Sequence, residues 1–209
     1  MQKKVTYLFD PLCGWCYGAS PAIHHLMALG NLDVTLAPTG LFVGGGRVIS
    51  SAFAEYAWSN DQRIAHMTGQ PFSEAYQHNV LGNLGAPFDS AFSTLALTAV
   101  KLTNPQREFE ALIALQKARY VSGLETSHLE VVVSVLQDMG LTTAAQKLAT
   151  LDDELQALNS ARFHAAQQLM GFHSLQGVPA LVAHGETGDR LVPSRLLFEA
   201  PTELVSFFN

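Results

Sequence analysis

Two residues could carry covalent chemistry here, the chain's 2 cysteines, Cys13 and Cys16, set within Phe9-Asp10-Pro11-Leu12-Cys13-Gly14-Trp15-Cys16-Tyr17. An apolar run from Val5 to Phe9 precedes them and reads as a buried strand. An amphipathic stretch from Tyr17 to Leu29 follows and reads as a helix. A Cys-x-x-Cys pair opening a helix after a strand is the arrangement of a redox dithiol. The unpaired backbone N–H groups of a first helical turn carry partial positive charge, so a thiolate placed there is stabilised and nucleophilic near neutral pH. The order predicts Cys13 at or just before the first turn, its sulfur exposed, as the attacking nucleophile. Cys16 lies one turn on, on the same face and shielded by the helix, as the resolving thiol. Zinc is the weaker reading, because no second Cys pair exists and His24 and His25 do not converge on both sulfurs. A structural disulfide over three residues constrains the unfolded chain little. A pair of inert buried cysteines remains the plain alternative.

The elements that must hold this dithiol follow from the rest of the chain. Asp33 to Pro38 alternates and reads as a second strand, parallel to the first across a βαβ crossover. Pro21 lies near the first turn of the connecting helix and predicts a kink there. Gly44-Gly45-Gly46 lacks the Lys-Ser or Lys-Thr of a phosphate loop and reads as an exit from the sheet. From Val48 to about Met170 the pattern is helical. Asn104-Pro105 marks one helix start, and Ser127 to Glu130 and Thr143 to Gln146 fit capping boxes. Asp152-Asp153-Glu154 puts acids in the first turn of a long final helix, and Phe109, Leu112, Ile113, Leu115 and Gln116 form a buried stripe. After Gly171 the period returns to two. Val178 to Ala183 reads as a third strand, Gly185 to Asp189 as a hairpin turn, Arg190 to Val192 as the start of a fourth strand, and Pro201 as the opening of a last helix. The expected fold class is α/β: a thioredoxin-like fold with a large all-helical insertion between its βαβ and ββα halves. Residues 1–45 and 171–209 form the thioredoxin-like domain and 46–170 the insertion.

Composition bounds the function. The chain has 209 residues, 48% of them hydrophobic and 14% charged, which suits a folded globule with a substantial core. A formal net charge of −6, with no basic run beyond Lys3-Lys4, argues against nucleic acid as a partner. No apolar run approaches a membrane span and no leader-like segment is visible, so the expected compartment is the cytoplasm, where paired cysteines are more often catalytic than structural. Asp10 either takes up a proton for Cys16 or caps the turn. Trp15 and Tyr17 either line a substrate groove or cover the helix. Tyr56, Trp58, His66, Met67 and Phe72 either face the dithiol and form a binding cleft or, as the stronger reading, pack in the core, and His24, His25, His164 and His173 are expected as ordinary helix residues with no partner defined by sequence.

Asp10-Pro11-Leu12-Cys13-Gly14-Trp15-Cys16-Tyr17 and Gly177-Val178-Pro179-Ala180-Leu181 together resemble the motifs of the DsbA-like thiol-disulfide oxidoreductases, in particular the cytoplasmic branch described as protein-disulfide isomerases. The chain is also similar to kappa-class glutathione transferases and 2-hydroxychromene-2-carboxylate isomerases, which share the fold. The resemblance implies catalysis by Cys13 and Cys16. It further implies a cis Val178–Pro179 bond beside the dithiol, and substrate contacts by Gly14, Trp15, Val178 and Pro179, the Val178 backbone pairing with an extended peptide. It implies no resident cofactor and no metal, with protein, peptide or small thiols and disulfides as partners and glutathione as a redox partner. The chain departs from the group at Gly14, where many relatives carry Pro. It departs again at Trp15, where the periplasmic oxidants carry a His that helps stabilise the thiolate. The expected pair is therefore less oxidising than theirs. Glutathione-transferring relatives commonly carry Ser at the position of Cys13. A glutathione-dependent transferase or isomerase acting on a small hydrophobic molecule, and a noncatalytic peptide-binding module, stand as the rival functions.

Overall fold

The period of two in the first strand decides the layering. In β1 (Lys3–Phe9), Val5, Tyr7 and Phe9 join one apolar cluster and Leu8 another, as side chains on opposite faces of a strand must. A computed structural model describes residues 3–198 and 201–208. After β1 come α1 (Gly14–Ala28), β2 (Leu32–Pro38) and α2 (Ser51–Thr68). Next is α3 (Glu74–Tyr76), continued by a wider turn through Leu81, and then α4 (Ala91–Thr103) and α5 (Glu108–Tyr120). The chain goes on through α6 (Leu129–Asp138), α7 (Thr142–Thr150) and α8 (Asp153–Phe172), and closes with β3 (Ala180–His184), β4 (Arg190–Leu191) and α9 (Pro201–Phe207).

The strands form one mixed sheet in the order β2-β1-β3-β4 among the described residues. β1 runs parallel to β2 with Tyr7 opposite Leu36, and antiparallel to β3 with Tyr7 opposite Leu181. The α1 crossover and the β3–β4 hairpin are those expected from the sequence. Cys16, Ala19, Ile23 and Leu26 of α1 pack with Val5, Tyr7 and Phe9, and Leu204 of α9 joins the same core. Ala166 and Leu169 of α8 meet Leu8 and Val182 on the other face. The architecture is thus the α/β, thioredoxin-like arrangement with a helical insertion. None of the helices among the described residues is long and apolar enough to cross a membrane.

Local chemistry explains most boundaries and corrects two. Asp152 accepts the Leu155 N–H at 2.8 Å and caps α8, with Asp153 and Glu154 in its first turn as expected. The capping boxes at Ser127 and Thr143 do not form. The helices start on His128 and Leu141 without side-chain caps, Ser127 Oγ accepts the Asp89 N–H instead, and Thr143 already lies inside α7. Pro21 does not break α1. It leaves the Tyr17 carbonyl without its helical donor, and the Ser20 hydroxyl (2.7 Å) and the Gln70 amide (3.1 Å) donate to that carbonyl instead.

The insertion reaches the dithiol through one close helix–helix contact. A Cβ on Gly18 would stand 2.4 Å from Ile64 Cγ2, and one on Gly14 would stand 2.4 Å from Asp61 Oδ1. Glycines one turn apart in α1 therefore let α2 lie against it at backbone distance.

Candidate active site

Cys13 is the N-cap of α1, in extended conformation, with its thiol free of any capping bond. The turn that sets it there is tied locally. Asp10 Oδ1 accepts the Leu12 N–H at 3.0 Å, the Asp10 carbonyl accepts the Cys13 N–H at 3.1 Å, and the Tyr120 hydroxyl donates to the Leu12 carbonyl at 2.8 Å. Both cysteines are free thiols. Cys16 is completely buried, and its thiol is pushed well up by that burial first, then by the hydrogen bond and charge of Cys13, with an Asp10 backbone hydrogen bond pulling the other way. A thiol in that state keeps its proton until a disulfide forms beside it.

Cys13 corrects one expectation. It is only 7% exposed, because α2 and the loop before α4 roof the helix mouth. Its sulfur opens instead into a cavity of about 250 Å³. Gly14, Trp15, Gly177 and Val178 line that cavity from the thioredoxin-like side, and Phe53, Tyr56, Asp61, Tyr76 and Phe88 from the insertion. The Cys13 thiol donates to the Val178 carbonyl at 3.6 Å, and the Val178–Pro179 bond is cis. Cys13, Cys16, Gly14, Trp15, Val178 and Pro179 thus meet at one end of the sheet, with the Val178 carbonyl turned toward the sulfur.

The open questions at Asp10, Trp15 and Tyr17 resolve differently. Asp10 is wholly buried, and its second oxygen accepts the Phe42 N–H at 3.1 Å and the Ser90 hydroxyl at 2.8 Å. Burial raises its carboxyl and these hydrogen bonds oppose the rise. With both oxygens occupied it caps the turn and ties it to the insertion. Trp15 lines the cavity edge-on to Phe198 (5.2 Å between centroids), and the Arg63 guanidinium lies over its ring at 5.6 Å. Tyr17 faces inward and stacks on Tyr120 at 5.0 Å, its hydroxyl pushed up to about 12 by burial. Of the aromatic residues expected in packing, Phe72 is buried, whereas Tyr56 is 69% exposed on the cavity rim. His24, His25, His66 and His164 are exposed, and His173 pairs with Asp189 at 3.2 Å.

Sequence reasoning missed the polar group on the opposite wall. Asp61 is 4% exposed and accepts the Tyr76 hydroxyl at 2.9 Å. Behind it the Arg119 guanidinium lies over the Tyr76 and Phe88 rings at 5.9 and 5.5 Å, and pairs with Glu125 at 2.6 Å. The available signal was a lone acid in the apolar helical row Phe53, Ala57, Asp61, Ile64. Among the described residues, no group of three or more His, Cys, Asp or Glu side chains could hold a metal ion.

The comparisons with known proteins follow the same lines. No protein-family model matches the chain, and no curated protein matches it. Solved structures do. The cytosolic disulfide reductase DsbM from Pseudomonas aeruginosa is 28% identical, with a TM-score of 0.86 over 98% of this chain and 96% of that one. The same reductase with GSH gives 28% identity and a TM-score of 0.83 over the same shares. A candidate protein disulfide isomerase from Nitrosomonas europaea matches at 22% identity and a TM-score of 0.81, over 100% of this chain and 98% of that one, a likeness of fold. These neighbours are DsbA-like thiol-disulfide oxidoreductases, and the chain is similar to them over nearly its whole length.

Proposed function

We propose that the protein reduces or isomerises disulfides through Cys13 and Cys16 by way of a mixed disulfide. The observation that carries this reading is the contrast within the pair: Cys13 at the mouth of α1 opens into a cavity, while Cys16 is sealed one turn behind it. The Cys13 thiolate attacks one sulfur of a substrate disulfide, forms a new S–S bond and expels the other sulfur as a thiolate, which takes a proton from solvent. Cys16 then gives up its proton and attacks the Cys13 sulfur. The Cys13–Cys16 disulfide forms, and the second substrate sulfur leaves with that proton. A small thiol restores the dithiol by the reverse exchange, and glutathione is the candidate, since GSH is bound in the similar reductase. Gly14, Trp15, Val178 and Pro179 are the substrate contacts in this reading. Residues 1–45 and 171–209 supply the dithiol and 46–170 the cavity roof. The cytoplasm is the compartment that suits such a reductase, as it does DsbM.

The test is reduction of insulin with glutathione as electron donor, joined to trapping of partners on a Cys16→Ala variant. We expect turnover by the parent protein, a stable mixed disulfide at Cys13 in the variant, and loss of both on Cys13→Ser. Full activity after Cys13→Ser would leave only a binding module. The apolar, aromatic cavity favours a second reading, a glutathione-dependent transferase or isomerase for a small hydrophobic molecule. Conjugation of a chlorinated aromatic with glutathione, in place of insulin reduction, would support it.

A further inference from the structure

The cavity wall facing the dithiol carries one ionisable group that the exchange steps do not use. Asp61 stands on α2, and its contacts are one-sided. Oδ2 accepts the Tyr76 hydroxyl at 2.9 Å. Oδ1 receives no hydrogen bond among the described residues and lies against the backbone of Gly14, 2.4 Å from where a Cβ would be. Asp61 and Cys13 line the same cavity. The groups facing the carboxyl are Tyr76 on α3 and Arg119 and Tyr120 on α5, and Cys13 at the start of α1 lines the same cavity. On its own helix, the Arg63 guanidinium lies over the Trp15 ring at 5.6 Å and is not among the groups that shift the Asp61 carboxyl. The Arg119 charge attracts it but is already shared with Glu125.

We propose that Asp61 is a positioning residue that sets the redox poise of the Cys13–Cys16 pair: its carboxylate, brought by α2 against the first turn of α1, opposes a thiolate at that turn and so favours the disulfide. The inference rests on the dithiol exchange proposed above. Reduction by two glutathione molecules breaks the Cys13–Cys16 bond and releases glutathione disulfide. It leaves a thiolate on Cys13 and a proton on Cys16, and the second proton goes to solvent. The disulfide is neutral, whereas a dithiol with Cys13 in its reactive thiolate form carries a negative charge at the helix mouth. A carboxylate and a thiolate that line one poorly solvated cavity destabilise each other as like charges. Burial, partly offset by the Tyr76 hydrogen bond and the Arg119 charge, lifts the Asp61 carboxyl to about 7. The opposition therefore switches on as pH rises through neutrality. Linkage requires the converse, that Asp61 holds its proton more tightly once the pair is reduced.

The experiment is the equilibrium of the parent protein and an Asp61→Asn variant with glutathione and its disulfide, at about pH 8 and about pH 6. Asparagine keeps an acceptor for Tyr76 and removes the charge. At the higher pH the variant's equilibrium moves about tenfold toward the dithiol, or about 30 mV for two electrons. At the lower pH the gap closes to less than about threefold. A purely structural role for Asp61 gives no such pH-dependent gap. Carbon-13 NMR of the Asp61 carboxyl in the unsubstituted protein is a second measurement, with a higher titration midpoint expected in the reduced than in the oxidised form. A parent that equilibrates with glutathione beside a variant within about twofold of it at both pH values, or equal NMR midpoints in the two forms, overturns this inference alone. A parent that does not equilibrate overturns the proposed function and this inference together.

Discussion

The two walls of the cavity are built by opposite means. The reacting wall is mostly local: Asp10, Leu12, Cys13 and Tyr17 hold one another through backbone and short side-chain bonds within a single turn and the helix it starts, with Phe42, Ser90 and Tyr120 adding the distant ties. The facing wall is assembled from distant segments, with Asp61, Tyr76, Arg119 and Glu125 contributed by α2, α3, α5 and the loop beyond it. The local wall is nearly saturated with hydrogen bonds, the Tyr17 hydroxyl alone being buried without a partner among the described residues. The distant wall is not, since Arg119 Nε and Nη2 and Glu125 Oε2 are buried without partners among the described residues. A charged cluster left partly unpaired in an apolar surround is a poor stabiliser. The difference teaches that the nucleophile's position is fixed by structure that forms early in the chain's own order, while its electrostatic setting is imported.

Breaking the local wall should have the largest effect. Asp10→Ala removes the acceptor of two backbone N–H groups and of the Ser90 hydroxyl, all in buried surroundings. We expect a loss of about 3 kcal/mol in denaturant unfolding, since each orphaned donor carries its desolvation cost, together with slower exchange by a misplaced Cys13. On the distant wall, Asp61→Asn should stabilise, and by a pH-dependent amount. The folded chain holds the Asp61 proton up to about 7, above the unfolded carboxyl, so the stability this proton supports is complete below about pH 4 and is lost as pH rises to about 7. The variant's advantage therefore grows across that interval, reaching on the order of 2 kcal/mol between about pH 5 and about pH 8. Urea titrations at the two pH values check it, and an advantage that is flat with pH would contradict the buried carboxyl. The smallest effect lies where the walls touch. Gly14→Ala should cost about 1 kcal/mol, the crowding against Asp61 Oδ1 being partly offset by alanine's helix preference. In an Asp61→Ala background the same change should become neutral or stabilising, a sign reversal that a double-mutant cycle reads directly.

What could be read in advance divides along the same line. The dithiol, the strand before it, the parallel return and the closing hairpin were legible because strand alternation, a Cys-x-x-Cys spacing and a Gly-rich turn are all short-range signals. Ser127 and Thr143 misled because a capping box is a loose four-residue pattern, and the chain found other partners or started its helix a residue away. The covering of Cys13 and the meeting of Asp61, Tyr76 and Arg119 depend on how α2, α3 and α5 lie across α1, which no local window contains. Gly14 was legible as a departure from relatives but not in its reason, which is the carboxylate seated against it.

Pro21 carries a consequence for how the roof can move. By freeing the Tyr17 carbonyl it gives Gln70, just past the end of α2, a place to fasten, and the Gln70 amide also donates to Ser20 Oγ at 2.8 Å. The insertion is thus stitched to the helix that bears the nucleophile, at a point one turn behind the sulfurs. Any movement of α2 away from α1 would first have to break the Gln70 hydrogen bonds to the Tyr17 carbonyl and Ser20 Oγ.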